Sequence, residues 1–304
     1  MSRRRKAESI SSRLKSRIED GDYYEAAQLY KSSAARLNAQ GKAQQSMELV
    51  TEGAVAMAKK EKLNAATELG LLLVESLEKE DQVITEESGH LLVSIAEAYP
   101  HACVEQVSFL KAAVRWSGPS LLPSMLRLRL LLARGLLATN EPGLAARQFG
   151  ASVALEGKVA SSNGDDGTAN KSSTDVSANE TGDFINEYAD MIKAWSKQGY
   201  GSERDLFLCR AVLHLLALKS PGPAAALWAK VCPAEGHAHS DLCTFTWLLL
   251  QLALHGPQPP TEEAMKAFMM LKDHPACMQA LSRDPELQSF VITCGEALSR
   301  TESK

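Results

Sequence analysis

The sequence predicts an all-α protein, an α-solenoid of antiparallel helical hairpins in a right-handed, TPR-like array. Three observations predict it. Alanine and leucine are abundant while aromatic residues make up only 6% of the chain, a composition that favours helices over β-sandwiches and barrels. A short pattern of residues recurs every 20 positions, which is the length of one helix and a turn. Polar and proline-rich corners separate the apolar segments.

The repeat has the same three features in each copy: a turn residue, a small residue five positions later and a leucine three positions after that. The copies are Gly21, Ala26 and Leu29, then Gly41, Ser46 and Leu49, then Glu61, Ala66 and Leu69. A small residue at a fixed point lets neighbouring helices approach closely, and the leucine is predicted to fill the space beside it. Arrays of this design usually bind other proteins.

The first elements follow from local signals. Residues 1–7 are predicted to be a disordered basic tail, and Ser9–Glu19 a short amphipathic helix. Asp22 is predicted to cap the next helix, with Glu25 as its capping-box partner. Of the adjacent Tyr23 and Tyr24, which point about 100° apart on a helix, one is expected in the core and the other at the surface.

The remaining helices are bounded by caps, prolines and glycines. They are expected at 42–60, 63–79, 85–99, 104–116, 121–137, 140–156, 184–197, 202–219, 223–230, 242–255, 261–271 and 285–300. Residues 157–183 contain almost no large apolar side chain, so they are predicted to be a disordered loop. This loop separates an N-terminal half of the solenoid at 8–156 from a C-terminal half at 184–300.

Charge excludes some classes of function. The net charge is −4, so bulk electrostatics do not favour a nucleic-acid-binding protein. Residues 1–60, however, carry twelve Lys and Arg against seven Asp and Glu, a balance of +5, which leaves −9 for the rest. A basic end on an acidic body indicates an electrostatically steered contact at the N-terminal end.

No apolar run is long and uninterrupted enough to cross a membrane, and Met1–Lys6 continues into polar residues unlike a signal peptide. We therefore expect a cytosolic protein without direct membrane insertion. The six cysteines lack paired spacing, which indicates a reducing compartment.

Candidate reaction centres are few. Cys232, His237, His239 and Cys243 lie within twelve residues, but their spacing is not a usual structural zinc pattern, so no metal is predicted. His214 lies in an apolar helix, where a histidine is usually a packing residue. We find no phosphate-binding loop, nucleophile elbow or metalloprotease motif, so no cofactor and no catalytic residue are predicted.

Five short motifs occur in an order that resembles the Golgi-to-ER traffic protein 4 family, the cytosolic adaptor of tail-anchored protein targeting. They are Gly-Asp-Tyr-Tyr-Glu-Ala at 21–26, Leu-Val-Glu-Ser-Leu-Glu-Lys at 73–79, Val-Arg-Trp-Ser at 114–117, Ser-Glu-Arg-Asp-Leu-Phe at 202–207 and Arg-Asp-Pro at 283–285. The resemblance implies a non-enzymatic α-solenoid that links a co-chaperone, carrying a tail-anchored client, to the targeting ATPase.

The same resemblance implies two partners. The N-terminal half would dock on the arsenite-pump-like targeting ATPase, and the C-terminal half would hold a ubiquitin-like-domain protein, so that any contact with the co-chaperone is indirect. Residues that match the family's ATPase contacts are Arg13, Arg17, Tyr23, Tyr24 and Arg36, while Glu68 matches an acidic residue that faces the ATPase and modulates hydrolysis. Tyr and Arg are also enriched at interface hot spots generally.

Two other functions are compatible with a helical array. One is a TPR-like adaptor of another pathway, such as vesicle fusion or the proteasome lid. The other is a metal- or small-molecule-dependent enzyme, which would need convergent polar side chains in a concave pocket.

Overall fold

The structure is a computed structural model that describes residues 14, 16–79, 83–162, 174–232, 240–256 and 261–299. Every regular element in these ranges is a helix, which confirms the predicted all-α solenoid class. The chain divides into two compact units, Met1–Glu141 and Pro142–Lys304.

In its described residues the first unit contains six α-helices, preceded by a helical segment at 16–19. They are α1 (Tyr23–Asn38), α2 (Ala43–Lys59), α3 (Leu63–Lys79), α4 (Glu86–Glu97), α5 (Val104–Ser117) and α6 (Pro123–Ala138). Each of the helices α1 to α4 packs against the two helices that follow it in the chain, and α5 packs against α6. Helices α1, α3 and α5 thus form one layer and α2, α4 and α6 the other, as antiparallel hairpins require.

The small residues of the repeat are buried as predicted. Ala26 and Ala66 have no exposed surface and Ser46 is 2% exposed. The prediction for the leucines is wrong at the first copy, because Leu29 is 42% exposed and the next residue, Tyr30, fills the interior instead. Leu69 is fully buried because α3 has neighbours on both sides, α1 and α5.

The turn residue of the repeat has a defined backbone conformation. Gly21, Gly41 and Glu61 all have positive φ, at 86°, 69° and 58°. In each case the next residue donates its N–H to the carbonyl of the residue five positions before itself. Lys62, for example, donates to the Met57 carbonyl at 3.0 Å. This hydrogen bond and the left-handed residue define the Schellman motif that ends a helix. Asn140 and Lys219, with φ of 63° and 59°, end α6 and a helix of the second unit in the same way.

Glu61 gives a direct test of this turn. A non-glycine residue in the left-handed region costs about 1 kcal/mol, so we expect Glu61→Gly to raise the free energy of unfolding by about that amount. Gly41→Ala should lower it by about 1 kcal/mol, since glycine is already present there. Urea unfolding measures both changes. Glu61→Ala is the control, since it removes the charge but keeps a non-glycine residue at a positive φ. Equal gains from Glu61→Ala and Glu61→Gly would assign the effect to the charge.

The part of the second unit that the structure describes contains eight α-helices and a short 3₁₀ turn at Gly201–Glu203. The helices are α7 (Pro142–Ser162), α8 (Thr174–Ser196), α9 (Arg204–Ala217), α10 (Pro221–Val231), α11 (Asp241–His255), α12 (Glu262–Lys272), α13 (Pro275–Leu281) and α14 (Pro285–Ser299). Helix α9 is central and packs against α7, α8, α10, α11 and α14. The final helix therefore returns to the centre of its unit, which a simple repeat would not do.

The predicted halves and loop differ in position from the observed units. The division lies at Glu141 and Pro142, so α7 belongs to the second unit. Its core matches the repeat, because Ala145, Ala146 and Phe149 are buried like Ala26, Ala27 and Tyr30. The predicted loop at 157–183 is helical as far as Ser162 and again from Thr174. Residues 163–173, like the predicted tail at 1–7, lie outside the described residues.

Candidate functional site

Five of the six predicted partner-binding residues are described, and they lie in the first unit on α1, the segment before it and α3. Arg13 is outside the described residues. Arg17 precedes the Gly21 turn, Tyr23 and Tyr24 begin α1, and Glu68 lies on α3. These elements are adjacent, since α1 and α3 pack against each other.

Arg17 is not an isolated cation. The turn at Gly21 folds the chain back, so that Asp22 N–H donates to the Arg17 carbonyl at 3.0 Å. The Arg17 guanidinium then lies 3.1 Å from the Asp22 carboxylate and 3.3 Å from that of Glu25. The three side chains form an exposed cluster with a net charge of −1. The capping box predicted for Asp22 and Glu25 is wrong, because Asp22 makes no side-chain hydrogen bond to α1.

The two tyrosines have different environments, but the prediction that one of them lies in the core is wrong. Tyr24 is 77% exposed. Tyr23 is half-buried, and the Lys62 ammonium lies 4.6 Å from the centre of its ring, within cation–π range. Tyr24 is therefore available to a partner, whereas Tyr23 mainly joins α1 to the turn before α3.

Arg36 is not part of the same surface. It is exposed in the last turn of α1, where a cation interacts favourably with the helix dipole. Twelve residues separate it from Tyr24, which places it about 120° around the helix and about 18 Å along it. The structure therefore does not bring Arg36 together with Tyr24.

A groove of about 700 Å³ runs between α1 and α3. Its lining is mixed: apolar atoms of Ala34, Ala35, Leu71 and Leu72, polar Asn38 and Ser76, and the charged side chains Lys31, Glu68, Glu75 and Lys79. Leu71 is 37% exposed, so the groove offers an apolar contact with charges beside it.

Glu68 lies in this groove and is paired. Lys31 Nζ is 2.5 Å from Glu68 Oε2, which joins α1 to α3 across the groove. Sequence reasoning missed Lys31, although a signal exists. Lys31 follows Tyr24 by seven residues, so the two share one stripe of α1.

Of the Cys and His cluster for which no metal is predicted, Cys232 and Cys243 lie in the described part of the chain, while His237 and His239 lie outside it. Cys243 is buried and its Sγ lies 3.7 Å from Cys209 Sγ. Burial and the neighbouring thiol raise the pKa of Cys209 well above its usual value, which keeps it protonated. Among the residues that the structure describes, no group of three or more His, Cys, Asp or Glu could hold a metal ion.

His214 is half-buried in the second unit and packs against the ring of Phe290 at 5.1 Å. Burial, together with the nearby Arg147, lowers the pKa of His214 to about 4. The unfolded chain, with a histidine pKa near 6.5, therefore binds a proton that the folded protein does not bind between about pH 6.5 and 4. The contribution to stability is present above that range and is lost as the pH falls through it.

We expect this histidine to remove about 2 kcal/mol from the free energy of unfolding between pH 7 and pH 5. Urea unfolding at the two pH values, for wild type and His214→Gln, isolates the effect from that of the carboxylates. Between pH 7 and pH 5 the wild type should lose more free energy of unfolding than His214→Gln. Equal losses in the two proteins would contradict the neutral state of the half-buried His214.

No helix in the described parts of the chain is long and apolar enough to cross a membrane.

Comparison with known proteins gives a consistent result. The Golgi to ER traffic protein 4 homolog of Oryzias latipes is 26% identical over 296 residues, which cover 94% of this chain and 79% of that protein. The homolog of Bos taurus is 28% identical over 294 residues, with the same coverage. A crystal structure of Get4 from C. therm. superposes with a TM-score of 0.69 over 96% of this chain and 88% of that one, at 19% identity, and so shares the fold. The model of the Golgi to ER traffic protein 4 family matches residues 40–297, and the chain therefore belongs to that family, which acts in Golgi-to-ER traffic.

Proposed function

We propose that this protein is a non-enzymatic adaptor of tail-anchored protein targeting. It links a co-chaperone-bound tail-anchored membrane protein to the cytosolic targeting ATPase for insertion into the ER membrane. The first unit binds the ATPase and the second unit binds a ubiquitin-like-domain protein. The observation that carries the proposal is the family match at 40–297, because it extends over both units.

The geometry of the first unit supports a protein-binding role. Tyr24 is exposed beside a cluster of charges, and the α1–α3 groove combines apolar atoms with both signs of charge. Exposed aromatic side chains and arginines contribute most of the energy in many interfaces. A helical array with such a surface is suited to docking a folded partner.

The basic N-terminal end supports an electrostatically steered contact. We expect the double substitution Arg13→Glu, Arg17→Glu to lower the affinity for the ATPase by about tenfold or more, mainly through a slower association rate. Because Arg17 forms ion pairs with both Asp22 and Glu25, its reversal leaves three adjacent acids. Biolayer interferometry with the purified ATPase at low and high salt measures the effect, which should shrink with salt.

The matched control is Lys193→Glu, Lys230→Glu, which changes the net charge equally on the second unit. This variant should bind the ATPase nearly as wild type does. Unchanged binding of the Arg13, Arg17 variant would remove the basic end from the contact.

The function itself is tested in cells that lack their own family member. The full chain should restore ER insertion of a tail-anchored reporter and should co-purify with the ATPase and with a ubiquitin-like-domain protein. Recovery of proteasome-lid or vesicle-fusion components in place of these two proteins would support the alternative adaptor.

A further inference from the structure

Lys31 and Glu68 form an ion pair between two helices. Lys31 Nζ on α1 lies 2.5 Å from Glu68 Oε2 on α3, and the two side chains are 32% and 58% exposed. The second pair at the groove, Lys79 with Glu75, lies within α3 at 2.7 Å. Lys31 thus fixes the position of Glu68 across the groove, whereas Lys79 affects a carboxylate on its own helix.

We infer that Lys31 is a positioning residue that holds the Glu68 carboxylate, and that a cationic group of the ATPase replaces Lys31 when the two proteins bind. This inference rests on the proposed function. The inference adds a regulated step to that function. Glu68 is paired with Lys31 before the partner binds, and this pair must open before the carboxylate can form an intermolecular contact.

The exchange is energetically feasible because an exposed ion pair contributes little to stability. The lysine ammonium is a point charge on a flexible stem, so it can leave Glu68 without a change in the helices. A cation of the partner then replaces the lost interaction, and the contact becomes stronger as water is excluded from the groove.

The pair also gives selectivity. The four charged groups of the groove, Lys31, Glu68, Glu75 and Lys79, sum to zero, so the groove has no net charge to attract ligands non-specifically. A neutral partner surface that covers the groove would bury the pair and incur its desolvation cost. Only a partner with a suitably placed cation recovers that cost, which is a form of discrimination against other surfaces.

The test is the affinity of full-length variants for the purified ATPase dimer in the presence of ATP. Lys31→Met should raise the affinity about fivefold, the most that loss of a competing surface pair provides. Lys31→Arg, which keeps the charge, should bind as wild type does. Glu68→Gln should weaken binding, and adding Lys31→Met to Glu68→Gln should give no gain, so that the two effects are coupled in a double-mutant cycle.

Lys79→Met is the matched control. It removes the same charge from the same groove but leaves the Lys31–Glu68 pair intact, so its affinity should equal that of wild type. A gain as large as that of Lys31→Met would assign the effect to net charge and overturn the inference. Weaker binding by Lys31→Met would also overturn it, since Lys31 would then contact the partner itself. Absence of ATPase binding by the wild type would instead contradict the proposed function.

Discussion

Replacing Asp284 by alanine should lower the free energy of unfolding of the second unit by about 4 kcal/mol. Asp284 is only 7% exposed. Its Oδ2 accepts hydrogen bonds from Nε of Arg210, at 2.9 Å, and from Nη2. Its Oδ1 accepts from the backbone N–H of Glu286 at 2.9 Å. One carboxylate therefore caps the N-terminus of α14 and pairs with a guanidinium of α9.

The size of the effect follows from what remains after the substitution. Removing one member of a largely buried pair leaves the other charge uncompensated, which costs about 3–5 kcal/mol. Arg210 retains Glu286 at 3.5 Å and the ring of Trp195 at 5.7 Å, so the lower end of that range applies. The lost cap adds about 1 kcal/mol.

A second variant separates the two roles. Asp284→Asn keeps a good capping oxygen but removes the charge, so its loss should lie between those of wild type and alanine. Urea unfolding followed by circular dichroism measures all three proteins. If asparagine matches wild type and alanine loses only about 1 kcal/mol, the ion pair contributes nothing and the effect is capping alone.

This interface explains two motifs that the sequence shows only separately. Ser-Glu-Arg-Asp-Leu-Phe at 202–207 and Arg-Asp-Pro at 283–285 are distant in the chain. In the structure Arg283 contacts the Asp205 carboxylate at 2.9 Å and the Ser202 carbonyl at 2.7 Å. Helical periodicity predicts each helix but carries no information on which distant helices meet, so the return of α14 to α9 could not be predicted.

The candidate site likewise combines features that the sequence predicts with features that depend on tertiary contacts. Exposure of Tyr24 and burial of the small repeat residues follow from the spacing of residues along a helix, and both were predictable. The pairing of Arg17 with Asp22 and Glu25 depends on the left-handed turn at Gly21, and that of Glu68 with Lys31 depends on the packing of α1 against α3. Sequence patterns identify the charged residues, but the charge that each presents to a partner is set by these tertiary contacts.

The close packing of α4 against α6 leads to a second large effect. A Cβ added at Gly89 of α4 would lie 1.8 Å from Ser124 Oγ and 2.6 Å from Ser124 Cβ. Ser124 cannot easily turn away, because its N–H and hydroxyl both donate to the Glu86 carboxylate, at 2.9 and 3.0 Å. We expect Gly89→Ala to lower the free energy of unfolding of the first unit by about 3 kcal/mol, since overpacking forces the helices apart.

Two further variants make this expectation specific to the contact. Ser124→Gly removes the obstructing side chain, so the double variant Gly89→Ala, Ser124→Gly should be more stable than Gly89→Ala alone, which additive effects would not allow. At Gly143 of α7 an added Cβ would meet Trp195 at an ordinary 3.6 Å, so Gly143→Ala should be neutral or stabilising by about 0.5 kcal/mol. If Gly89→Ala behaved in urea like Gly143→Ala, α4 and α6 would not be in close contact. The layer of α2, α4 and α6, against which the groove-forming helices α1 and α3 pack, would then have to be revised.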